Sequence, residues 1–145
     1  MKILVINGPN LNLLGTRNPN MYGTGTLEEI NNFLIDEFKH HDLVFFQSNI
    51  EGEIIDCLQN ALKDGTQAMV ANFGAYTHTS VAIRDALEPI TFPKVEVHIS
   101  NIHAREEFRE KSLTGEVMNG IITGFGKYSY VLGIQAAEQL ATDLE

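Results

Sequence analysis

The sequence has few basic residues, one cysteine and no long apolar run, and each shortage excludes a class of function. Ten Lys and Arg stand against nineteen Asp and Glu, a formal net charge of −9. That balance opposes non-specific binding to nucleic acid or to an anionic membrane, while leaving room for a small basic pocket. A single cysteine, Cys57, permits no intrachain disulfide. No apolar run approaches the ~18 residues of a membrane helix. The first stretch, Met1 to Gly8, lacks the roughly 7–15 apolar residues of a secretion signal. A cytoplasmic protein without membrane or nucleic-acid partners is the expectation.

Several chemical signatures are missing as well. There is no G-x-G-x-x-G for a dinucleotide, no phosphate-loop motif and no G-x-S-x-G elbow. The histidines His40, His41, His78, His98 and His103 do not have zinc-motif spacing. Gly124-Phe125-Gly126-Lys127 is glycine-rich without a phosphate pattern and reads as a strand-to-helix turn. A receiver domain needs an acceptor Asp after the third strand, where Asn72 stands.

What is present is an alternating rhythm over 145 residues, 43% of them hydrophobic, which suits one domain spanning 1–145. The length is too small for a (β/α)₈ barrel, which needs ~200 residues or more. Strands are expected at Ile3–Asn7, Leu43–Gln47, Ala68–Asn72, Lys94–Ile99 and Gly120–Phe125, all reading as buried. Thr26 with Glu29 forms a capping box ahead of Leu27, Ile30, Leu34 and Phe38, which predicts a helix to about His40. Ser48 with Glu51 offers a second box, followed by a stripe of Ile54, Ile55, Leu58, Ala61 and Leu62. A helix from about Ser80 stops at Pro89. A short charged helix is expected around Glu106. A closing helix over Tyr128–Leu144 turns Val131, Ile134, Ala137, Ala141 and Leu144 inward. Five such strands separated by helices give an α/β fold, a flavodoxin-like parallel sheet with helices on both faces.

In such a sheet ligands bind beyond the carboxyl ends of the strands, and the unusual residues collect there. Strand one leads into a loop over residues 8–25 holding Asn10, Asn12, Arg17 and Tyr22. A loop beyond ~12–15 residues in a compact domain is often a lid, and Gly15 and Gly23 could hinge it. An arginine beside Tyr22 would favour the phenolate and make it a usable base. Strand three ends at Asn72 and runs on through Phe73-Gly74-Ala75-Tyr76-Thr77-His78-Thr79-Ser80. Strand four carries Glu96 and His98, which share a face at i and i+2, so the carboxylate can orient the imidazole. Arg105 and Arg109 follow, four apart and on one face if helical. Ordinary readings stand beside these: turn chemistry for Asn72, loop packing for Tyr22, a solvated Arg17, a helix cap at His78, and pairing of the two later arginines with Glu106, Glu107 or Glu110.

Three segments in order resemble the type II 3-dehydroquinate dehydratases: Asn7-Gly8-Pro9-Asn10-Leu11-Asn12-Leu13-Leu14-Gly15-Thr16-Arg17 with Tyr22 following, Asn72 to Ala86, and Glu96-Val97-His98-Ile99-Ser100-Asn101-Ile102 with Arg105-Glu106-Glu107-Phe108-Arg109. Asn18, Phe73 and the segment Lys111 to Asn119 depart from the family's usual pattern, and none replaces a chemical group. The resemblance implies dehydration of 3-dehydroquinate to 3-dehydroshikimate in the shikimate pathway, by anti elimination through an enolate, with no metal, Schiff base or other cofactor. It implies Tyr22 as the base, Arg17 as the group that keeps Tyr22 ionised, and His98 as the acid, supported by Glu96. Asn12 would hold a water against the enolate oxygen. Asn72 and the backbone N–H groups of Ile99 and Ser100 would meet the substrate carboxylate, with His78 and Arg109 on ring hydroxyls and Arg105 closing the lid. Asp85 would reach a neighbouring subunit's site, in a dodecamer built from trimers. A flavodoxin-like module binding FMN or a small acid without catalysis is the competing reading.

Overall fold

A central sheet is formed by β1 (Lys2–Asn7), β2 (Asp42–Gln47), β3 (Ala68–Asn72), β4 (Lys94–His98) and β5 (Gly120–Thr123), all parallel, in the order β2-β1-β3-β4-β5. This computed structural model describes residues 1–16, 20 and 25–145. Arg17 and Tyr22, singled out above, lie outside the described residues. Helices α1 (Leu27–Glu37), α2 (Glu51–Ala61), α3 (Val81–Leu87) and α4 (Tyr128–Asp143) alternate with the strands, and a single helical turn, Tyr76–Thr79, precedes α3. The order matches the flavodoxin-like expectation.

Strand alternation builds two cores. Ile3, Val5, Val70, Val95 and Val97 face Ile30 and Leu34 of α1 and Ile134, Ala137 and Ala141 of α4. The intervening Leu4, Ile6, Met69 and Ala71 face Ile54 and Leu58 of α2 and Ile83 and Leu87 of α3. Helices therefore cover both faces, as parallel strands require. The expectation of five buried strands holds for β1, β3 and β4 only. The edge strands β2 and β5 are partly exposed, Val44 to 36% and Ile121 to 45%, because each has a strand on one side alone.

Helix ends account for the other differences. Thr26 Oγ1 accepts from Glu29 N as expected, but α1 stops at Glu37 rather than His40. The expected Ser48–Glu51 box does not form. Ser48 Oγ instead accepts from Ile50 N and donates to Glu53, while Glu51 accepts from Ser80 Oγ, the cap of α3. Leu62 and Leu144, assigned inward by periodicity, are 50% and 72% exposed. Both lie just past the last helical residue, where the 3.6-residue phase no longer aims a side chain at the sheet. The segment around Glu106 is no α-helix. Short 3₁₀ turns occupy Ile102–Ala104 and Glu107–Arg109, with Arg105 extended between them.

Close backbone approach brings the first two site loops together. Gly8 N donates to Asn72 O at 2.8 Å, and a Cβ at Gly8 would stand 2.5 Å from the Phe73 carbonyl oxygen, which only glycine avoids. The Gly124–Gly126 turn, with positive φ at all three residues, donates to the carbonyls of His98, Ile99 and Ser100 and so fixes the exit from β4. The first part of the long loop is anchored: Leu11 and Leu14 are buried in the core, and Asn10 N donates to Asn49 Oδ1.

Candidate active site

A cleft of about 600 Å³, counting its open mouth, lies at the carboxyl ends of β1, β3 and β4. Pro9, Asn10 and Leu11 line it from the first loop, Asn72, Gly74, Ala75 and His78 from the second, and His98, Ile99, Ser100, Ile102, Arg105 and Arg109 from the third. The sheet order reverses between β1 and β3, so the loops after these strands diverge and leave a crevice.

Glu96 and His98 share the face of β4 predicted by their spacing. His98 Nε2 lies 2.9 Å from Glu96 Oε2, with the side chains 5% and 0% exposed. A buried charge is tolerated only when its hydrogen-bonding capacity is met. Glu96 Oε1 accepts from Thr77 Oγ1 at 2.8 Å and from Thr114 Oγ1, while Oε2 accepts from Ser112 Oγ at 2.8 Å. Burial alone would raise the Glu96 pKa, but the bonds from His98, Thr114 and Ser112 outweigh it and hold the carboxyl below its ordinary range. With Nε2–H directed at the carboxylate, Nδ1 is the His98 nitrogen left to meet a ligand.

His78 is held differently. Its Nδ1 donates to the Lys111 carbonyl at 2.8 Å. Burial lowers its pKa; the Lys111 bond works the other way, and the nearby His98 and Arg109 add to the depression. His78 is thus a neutral imidazole with Nε2 as an acceptor. Its ring stacks near that of His98, centroids 6.4 Å apart. A neutral acceptor beside a carboxylate-backed imidazole gives the cleft two histidines of different character.

Asn72 is buried and pinned at both ends of its amide. Nδ2 donates to Tyr130 OH at 3.0 Å, Oδ1 accepts from Gly74 N at 3.1 Å, and Tyr130 OH in turn donates to Asn7 Oδ1. Burial pushes the Tyr130 phenol pKa up, so it stays a neutral hydroxyl. Arg105 Nη1 donates to Ser100 Oγ at 3.1 Å, and Arg109 Nε pairs with Glu106 Oε2 at 2.5 Å. The ordinary reading of a salt bridge for Arg109 is therefore correct, yet both guanidinium groups line the cleft. They give an acidic protein a positive site for an anion.

Most of the candidate residues meet here. Glu96 sits behind His98 rather than on the cleft wall. Asn12 is exposed beside the cleft, its Oδ1 3.5 Å from Gln47 Nε2. Asp85 is exposed on α3 and away from the lining residues. Thr77, Ser112, Thr114 and Tyr130 went unrecognised in the sequence, since nothing local marks a hydroxyl 16 or 18 residues from Glu96 as its partner. Among the described residues the one His/Cys/Asp/Glu group with ligand spacing is His40, His41 and Glu138, at the opposite, amino end of the sheet. Cys57 is also remote, and burial raises its thiol pKa to about 11.

Known proteins show the same organisation. The profile of a family described as Dehydroquinase class II matches residues 1–138. A 3-dehydroquinate dehydratase of Helicobacter hepaticus is 51% identical over 99% of this chain and 92% of its own. One from Thermotoga neapolitana is 51% identical over 99% and 98% respectively. The crystal structure of a type II dehydroquinase from Butyrivibrio crossotus superposes with a TM-score of 0.93 at 49% identity, covering 95% of this chain and 97% of that one.

Proposed function

The chain belongs to the class II dehydroquinase family, and from that premise we propose how its own residues carry out the dehydration of 3-dehydroquinate to 3-dehydroshikimate in the shikimate pathway. The observation that carries the proposal is the buried Glu96–His98 pair opening onto a cleft with two arginines.

The reaction removes a proton alpha to a ketone and expels a hydroxyl from the next carbon. The first step needs a base and a stabiliser for the developing oxyanion; the second needs a proton donor. Tyr22, as a phenolate that Arg17 keeps ionised, takes the C2 proton, and the C–H electron pair moves into the enolate. Asn12 holds a water against the enolate oxygen. Collapse of the enolate breaks the C1–O bond, and His98 delivers the proton that lets the hydroxyl leave as water. The fixed ring of His98, with Nε2 on Glu96, supports delivery from Nδ1. Glu96 stabilises the imidazolium before transfer and accepts the remaining N–H after it.

The substrate carboxylate meets Asn72 and the backbone N–H groups of Ile99 and Ser100, within reach of Arg105. His78 and Arg109 take ring hydroxyls; a neutral Nε2 on His78 suits a hydroxyl donor. Arg105 closes the site with the first loop. No step calls for a cofactor. Assembly into a dodecamer of trimers, with Asp85 serving a neighbouring subunit's site, completes the proposal, and the exposed position of Asp85 is compatible with that role.

The test is to add 3-dehydroquinate to purified protein and follow the ultraviolet absorbance of the conjugated enone, with and without prior borohydride treatment. A rise unaffected by borohydride supports the enolate route without an imine. No rise from folded, assembled protein overturns the proposal.

A further inference from the structure

The segment Lys111 to Asn119 supplies two of the four side chains that bond Glu96, Ser112 and Thr114. Leu113 N donates to the Thr77 carbonyl at 2.8 Å, and the Lys111 carbonyl accepts from His78. These two bonds clamp the segment to the helical turn Tyr76–Thr79 and place Ser112 and Thr114 against the carboxylate. Thr77 and Thr114 are fully buried. Their oxygens stand 2.5 Å apart with Glu96 Oε1 as the shared acceptor, while Ser112 and His98 take Oε2. Ser112 is itself fixed by accepting from Gly115 N at 2.8 Å.

A desolvated His–Glu pair holding one proton has two forms: carboxylate with imidazolium, or carboxylic acid with neutral imidazole. Low polarity favours the second, because it carries no charge. Hydrogen bonds from hydroxyls favour the first, because donation to an ionised oxygen is roughly twice as strong as to a neutral one. Resting on the proposed role of His98 as acid, we propose that Thr77, Ser112 and Thr114 are positioning residues that keep Glu96 ionised, so that the shared proton stays on His98 Nε2 and the ring remains an imidazolium whose acidic Nδ1–H faces the substrate. None of the three lines the cleft. They act through Glu96.

The other charged and titratable groups around the pair do not supply this bias. His78 is neutral and offers an acceptor. Arg105 and Arg109 line the cleft, and positive charge there gives no bias toward a further cation. Lys94, on the same face of β4, donates to the Leu87 carbonyl at 2.6 Å. Arg84 of α3 is taken by Glu116. The neighbouring strands place Ala71 and Ile121 beside Glu96, and Thr123 beside His98. The hydroxyls are therefore the groups that decide where the proton sits.

The experiment is ¹⁵N NMR of histidine-labelled protein, the His98 signals being those lost in His98→Gln, together with pH profiles of kcat and KM. In the wild type both His98 nitrogens carry protons across the active pH range. In Thr114→Val, an isosteric change, the His98 signals move toward neutral imidazole at the same pH, and the kcat plateau falls about tenfold, equivalent to one unit in the pair's proton balance, with KM little changed. Thr114→Ser restores both. Ser112→Ala moves the signals the same way and less, and decides the matter should Thr114→Val not fold. Unchanged His98 signals in the folded variants, with any loss confined to KM or stability, would overturn the proposal. Shifted signals with an unchanged kcat plateau would support it while removing His98 from the role of acid.

Discussion

Among the described residues two histidine–glutamate clusters occur, and only one of them is placed to do chemistry. Glu96 and His98 are almost wholly buried, 2.9 Å apart, with three hydroxyls completing the carboxylate and one face of the imidazole open to a cleft. Glu138 receives two imidazoles, His40 Nε2 at 3.5 Å and His41 Nε2 at 3.2 Å, but its side chain is 34% exposed and that of His40 is 64% exposed. Water can solvate Glu138 and His40 in either protonation state, although His41 is only 4% exposed. In the first, the protein has replaced water with donors fixed in place. The two teach that a short His–Glu distance has little meaning by itself. What matters is who satisfies the remaining oxygens and whether the far nitrogen can reach a ligand.

The largest effect that separates the clusters is on turnover. His98→Ala is expected to lower kcat by about 10²–10⁴, the usual contribution of a general acid, while Glu138→Gln leaves kcat at the wild-type value; steady-state assays on both variants check this. The next is on stability. Glu96→Gln removes one partner of a buried pair and is expected to cost about 3–5 kcal/mol, whereas Glu138→Gln costs less than about 1 kcal/mol. Urea unfolding midpoints give both values.

The smallest is a difference in pH dependence. Both carboxyls are held below their ordinary value of 4.5, Glu96 by donors that overcome its burial and Glu138 chiefly by the bond from His41. A depressed carboxyl stabilises the fold fully above its unfolded pKa and loses that contribution as pH falls through its folded pKa. The gap in melting temperature between wild type and Glu96→Gln is therefore expected to narrow below about pH 4.5, from the ordinary value it has when unfolded. The corresponding gap for Glu138→Gln is small throughout.

The same contrast explains what was legible in the sequence. Glu96 and His98 stand two apart on β4, alternating with Val95 and Val97, so strand periodicity alone puts them on one face. Strands β1, β3 and β4 were equally plain, being covered on both faces. The partners of Glu96 were not legible, because Thr77 and Thr114 reach it from segments 19 and 18 residues away that meet only in the folded protein. Ser48 and Glu51 had the pattern of a capping box, yet each found a better partner, Glu53 and Ser80, through tertiary packing. Leu62 and Leu144 kept helical spacing beyond the point where the helices end. Arg105 and Arg109 reached the cleft as expected, but with Arg105 extended and Arg109 in a 3₁₀ turn, not on one face of a helix.

The central claim is that His98 acts on the departing hydroxyl and not on the C2 proton. It is tested most directly by giving the folded His98→Ala variant 3-dehydroquinate deuterated at C2 and following both loss of deuterium to solvent and formation of the enone. The account predicts that deuterium continues to wash out while enone formation nearly stops. Enone formation at the wild-type rate would contradict it.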